Sequence, residues 1–144
     1  MATRETIAGV IAFLDSYRGA FERYDADAAA DHFLLPHFIA SDAEPAALLP
    51  IATREACRAG IEQALALHRK IGVTTGRMLG FMITELSPRL AALDLHFEFS
   101  DAHGMGLYDF RGLYSLVARE NGWRIAAIAH NQIPRLLTRA VSQR

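Results

Sequence analysis

A chain of 144 residues fits one domain with a real core, and 51% hydrophobic with 22% charged residues is the balance of an ordinary globule. A net charge of -1 at pH 7 speaks against a nucleic-acid partner, which asks for a basic patch. No apolar run is long enough to span a membrane, the N-terminus lacks a signal-peptide layout, and a lone Cys57 excludes an intrachain disulfide, so a cytoplasmic protein is the expectation.

Ile7, Val10, Ile11, Leu14, Tyr17, Phe21 and Tyr24 recur at helical spacing and predict a helix over 4–24, with Arg18 and Glu22 among the charges off its stripe. Asp25 and Asp27 break the pattern. Asp27 is the expected cap of a short helix over 28–33, which Pro36 would stop. Residues 37–41 read as a short strand and 42–50, with two prolines, as a loop. Thr53 should cap a second long helix over 54–71, with Ala56, Cys57, Ile61, Ala64, Leu65, His68 and Ile71 inward and Gly72 ending it. Residues 73–86 are β-branched and apolar enough for a strand, and Ser87-Pro88 makes a turn after it.

The stretch 88–132 carries the rest. In 90–100, Leu93, Leu95, Phe97 and Phe99 alternate with Asp94, His96 and Glu98, which gives a strand one dry face. In 107–119, Tyr108, Phe110, Gly112, Tyr114 and Leu116 share one side. Asn121-Gly122 suits a tight hairpin. In 123–132, Trp123, Ile125, Ala127, Ala129 and Asn131 alternate with Arg124, Ala126, Ile128 and His130. Arg135, Arg139 and Arg144 read as a solvated helix face.

This order of elements resembles the NTF2-like superfamily, the fold of ketosteroid isomerase and the SnoaL-like cyclases. The residues that carry the resemblance are Tyr17 to Phe33, Leu86-Ser-Pro-Arg-Leu-Ala91 and Gly122-Trp123-Arg124-Ile125. It implies one α+β domain over the whole chain: a cone-shaped, curved antiparallel sheet covered by the N-terminal helices. It also implies a largely apolar pocket on the concave face, a homodimer through the convex face, and chemistry without a cofactor. Asp94, His96 and Glu98 would then point to the convex side.

The isomerase abstracts a proton beside a carbonyl, with a carboxylate base and hydroxyl or acid donors for the oxyanion. Tyr17 stands eight residues before Asp25, where the isomerase carries a tyrosine donor; the bland alternative is a stripe tyrosine bonded to backbone. The isomerase's base falls on Ser41, which cannot serve at neutral pH unaided. His37, on the same strand face as Ser41, is the substitute base, or else a core histidine. The second donor falls near Tyr114. Phe21, Phe97, Phe99 and Phe110 would line the pocket, with Ser41 and Asn131 contributing polar contacts, unless the rings fill it completely. His96-x-Glu98 lacks further ligands for a metal, and Gly104-Met-Gly106 lacks the strand-to-helix context of a phosphate loop. Three functions fit these residues: an isomerase-, cyclase- or dehydratase-type enzyme acting on an apolar carbonyl compound, a non-catalytic small-molecule binder, and an association module.

Overall fold

A computed structural model describes residues 2–142; Arg144 lies outside the described residues. The elements are α1 (Arg4–Glu22), α2 (Ala26–Ala30), β1 (Phe33–Ser41), β2 (Ala47–Ile51), α3 (Arg54–Ile71), β3 (Thr75–Ser87), β4 (Leu90–Ser100), β5 (Gly106–Arg119), β6 (Gly122–His130) and α4 (Gln132–Ser142). The strands form one curved sheet in the order β2-β1-β6-β5-β4-β3, and the helices cover its concave face.

Helix ends follow local chemistry. Thr3 caps α1 by accepting from the Thr6 amide, and Thr53 caps α3 by accepting from the Ala56 amide. Gly72 ends α3 with a φ of 87°, the left-handed conformation that costs glycine little. The first helix is two residues shorter than expected because Tyr24 itself turns left-handed, at φ 57°. The Tyr24 hydroxyl donates to the Val73 carbonyl at 2.5 Å, and the Arg69 guanidinium lies over its ring. Asp25, not Asp27, caps α2 by accepting from the Ala28 amide. Asp27 pairs instead with Arg54 and Arg58 of α3. The expected helix over 28–33 therefore spans 26–30, and Pro36 lies inside β1, where the pairing with β6 changes register.

The sheet is mixed. β1 runs parallel to β6; no hairpin links these two strands, so no turn dictates their direction. The supposed loop over 42–50 contains β2, an edge strand, where Pro50 has no inner ladder to break. After β6 the chain forms α4, with Leu136 and Ala140 buried. Arg135 is not simply solvated, because it donates to Asp109 of β5. No helix among the described residues is long and apolar enough to cross a membrane.

Alternation holds on β4 and β5. Leu93, Leu95, Phe97, Phe99, Tyr108, Phe110, Tyr114 and Leu116 are all buried. It fails on β6. Leu116 pairs with Ile125 and Ser115 with Ala127, so Ala126 is an extra residue, a bulge. Beyond it every side chain changes face. Ile128 opposes Tyr114 and is buried, while Ala129 is exposed.

On the convex side one register row crosses all six strands: Leu48, Ala40, Ala129, Leu113, Asp94 and Met82. Leu48, Leu113 and Met82 are each more than half exposed.

Leu65 of α3 has no exposed surface. Leu65→Ala should lower the unfolding free energy by about 2–5 kcal/mol, and Thr53→Ala by about 1 kcal/mol. Urea titration with an unchanged m-value checks both. A Leu65→Ala loss below that of the cap variant would contradict the place of Leu65 in the core.

Candidate functional site

Between α1 and the concave faces of β4 and β5 lies a hollow of about 30 Å³, roughly one water's share of the liquid. Leu14, Tyr17, Arg18 and Phe21 line it from the helix, Leu95, Phe97, Phe99, Phe110 and Tyr114 from the sheet, and Gln132 from the start of α4. Six of the nine residues expected at the site thus meet here: Tyr17, Phe21, Phe97, Phe99, Phe110 and Tyr114. Their rings nearly fill the cone. Phe97 and Phe99 meet edge-on at 5.1 Å between centroids, and Tyr17 and Phe21 at 5.2 Å.

Two glycines make room for this packing. A Cβ at Gly76 of β3 would collide with the Phe97 ring, and one at Gly112 of β5 would lie 2.8 Å from Tyr114 Cε1. Larger residues there would push both rings further into the hollow.

Neither the Tyr17 nor the Tyr114 hydroxyl hydrogen-bonds to another described residue, although both rings belong to the packed interior. Burial raises the pKa of Tyr17 well above the ordinary phenol value, and the neighbouring Tyr114 adds to the effect. Burial also raises Tyr114. A charged phenolate is disfavoured away from water, so both remain neutral donors across the physiological range. Arg18 reaches Gly76 O and Asp15 Oδ1 only at 3.4 Å each, and its Nε is buried without a partner.

The other three expected residues lie elsewhere. His37 is buried beside Phe33, 4.7 Å between ring centroids, with Nδ1 on the Leu34 carbonyl and Nε2 unpartnered. Burial lowers its pKa. It does not line the hollow. Asn131 was expected on the pocket side; the Ala126 bulge moves it to the outer face. There Asn131 Oδ1 accepts from the Arg111 amide at 2.8 Å. Ser41 and Asn131 do meet, but in a shallow outer hollow of about 480 Å³ shared with Asp94, Arg111 and Leu113. Of the convex charges, Asp94 pairs with Arg111, His96 with Asp109 and Glu98 with Arg77. No group of three or more His, Cys, Asp or Glu side chains that could hold a metal ion occurs among the described residues.

Sequence reasoning missed a buried polar chain. His68 Nε2 lies 2.6 Å from the Tyr108 hydroxyl, which accepts from Gln132 Nε2 at 3.1 Å. The chain runs from α3 across β5 to the rim of the hollow. His68 Nδ1 has no partner, and burial lowers the His68 pKa to about 4. The signal was present: His68 sits on the inner stripe of its helix and Tyr108 on the inner parity of its strand. Two buried polar tips need partners. Arg18 gave no such signal, because its neighbours Asp15 and Glu22 suggested a solvated face.

A family profile described as "NTF2-like protein (DUF6841)" matches residues 4–132. No curated protein matches the chain. Among solved structures, the chain is similar to Aln2 from a Streptomyces species, at 16% identity over 97% of this chain and 99% of that one, TM-score 0.72. An NTF-2 like protein of unknown function from Shewanella oneidensis matches at 12% identity over 88% and 98%, TM-score 0.69. A domain of unknown function with a cystatin-like fold from Nostoc punctiforme matches at 14% identity over 99% and 98%, TM-score 0.67. At such identities the likeness concerns the fold alone.

Because its folded pKa lies below its unfolded value, His68 contributes stability that is complete above about pH 6.5 and lost as the pH falls towards about 4, roughly 3 kcal/mol in all. His68→Asn should therefore show a shallower acid dependence of its urea midpoint than the unsubstituted chain. His32, His37 and His130, also lowered by burial, contribute equally to both. Parallel slopes would mean that His68 titrates normally.

Proposed function

We propose a function from the premise that the chain belongs to the NTF2-like protein family DUF6841: it binds a small, flat, largely apolar molecule in its cone. The Tyr17 and Tyr114 hydroxyls hold an acceptor atom of that molecule, a carbonyl oxygen being the natural fit. One observation carries this: two neutral phenol donors share a single aromatic-lined hollow and bond to no other described residue. Neither hydroxyl is among the fully enclosed atoms that lack a partner, so both keep some surface open to the hollow, and a bound acceptor would take the place of water there.

Ordinary ligand sites measure roughly 300–1,000 Å³, so binding requires the rings to part. Gln132 and Arg18, at the rim and with few bonds, are the lining side chains freest to move. Acid–base turnover would further need a base beside the bound carbonyl. No carboxylate or imidazole lines the hollow, and His37 stands behind Phe33, so binding is favoured over catalysis.

A second activity, pairing with another copy of the chain, is supported by the convex row. Leu48, Leu113 and Met82, with Phe38 beside them, expose apolar side chains across the sheet, an area that association would remove from water.

Differential scanning fluorimetry with 2-acetylnaphthalene should raise the melting temperature by a few degrees, as a ligand of the native state does. Tyr114→Phe and Tyr17→Phe should each weaken binding about three- to tenfold. Indifference of the unsubstituted chain to flat aromatic ketones would sink the ligand reading. For the second activity, light scattering at micromolar concentration should give the mass of two chains, and Leu113→Glu that of one; a monomer without substitution would refute it.

A further inference from the structure

We infer that the ligand carries an anionic acceptor, a carboxylate on an aromatic body, and that Arg18 receives it at the mouth of the cone. This rests on the ligand reading above and specifies its chemistry. Arg18 stands next to Tyr17 on α1 and lines the same hollow as Tyr114. A guanidinium has five N–H donors in a planar fork matched to a carboxylate. Here two contacts are made, to Gly76 O and Asp15 Oδ1, both long at 3.4 Å. The Nε is buried and bonds to nothing.

The acidic neighbours do not complete the site. Asp15 is 61% exposed at its side chain and lies outside the hollow. Glu22, one turn further along α1, is engaged by the Thr75 hydroxyl and the Gly76 amide. Arg18 brings only N–H donors and the one positive charge of the lining, the Tyr17 and Tyr114 hydroxyls can donate as well as accept, Gln132 adds an amide oxygen, and none of the lining side chains is acidic. Such a set rejects ammonium groups and favours acceptors, most of all charged ones. The Arg18 side chain is 39% exposed, so it can swing outward to admit a ring and return upon the carboxylate.

The test is isothermal titration of the full chain with matched pairs, benzoate against benzamide and 2-naphthoate against 2-naphthamide. Within a pair only the charge and its hydrogen bonds differ. The carboxylate of at least one pair should bind about tenfold tighter than its amide, and the preference should shrink as salt is added. Arg18→Gln should abolish the preference, while Arg18→Lys, which keeps the charge without the fork, should retain part of it. Circular dichroism and melting temperature establish that both variants fold; if Arg18→Gln does not, the salt series and Arg18→Lys decide. Equal affinity for acid and amide would overturn the role of Arg18 and leave the ligand reading standing. Failure of both pairs and of the aromatic ketones would overturn both together.

Discussion

Phe99 is the contact on which the interior depends. Its ring meets His68 of α3 at 4.5 Å and Phe21 of α1 at 6.3 Å between centroids. It also packs on Phe97 of its own strand and on Tyr108 and Phe110 of β5. One side chain thus joins both long helices to β4 and β5. Such ring pairs stabilise beyond the area they bury, by about 0.5–1.5 kcal/mol each. The same packing closes the cone: rings that lock helices to sheet leave a hollow of only about 30 Å³. Stability and capacity for a ligand draw here on the same side chains.

Polar groups inside this apolar layer are few, so each has a readable consequence. Burial keeps the phenols of Tyr17 and Tyr114 protonated and His68 neutral. The interior therefore presents donors and no carboxylate. Ser41, the position expected to face the pocket, lies instead on the outer hollow.

Much of the fold was legible because its signals are local. The period of two on β4 and β5, the Thr53 cap and the Gly72 stop each arise from a few neighbouring residues, and the structure agrees with all of them. The errors came where local rules compete. Asp25 and Asp27 are equally good caps by residue type; Asp25 takes the cap, and Asp27 meets Arg54 and Arg58 instead. β2 has no period of its own and exists because β1 offers it an edge. At the site, the alternation of β4 and β5 brought six expected residues together. Asn131 was lost because a single extra residue, Ala126, reverses the parity of every later position on the strand.

The sequence by itself determined the helices, the long strands and which side of β4 and β5 would be dry, since periodicity and capping depend on residues a few positions apart. Tertiary structure alone decided the direction of β1 against β6, the face of Asn131, the partnership of His68 with Tyr108 and the place of Arg18 at the hollow. Most of these depend on residues tens of positions apart, and the bulge that turns Asn131 depends on how β6 pairs with β5, so strand register and packing rather than any local pattern set them.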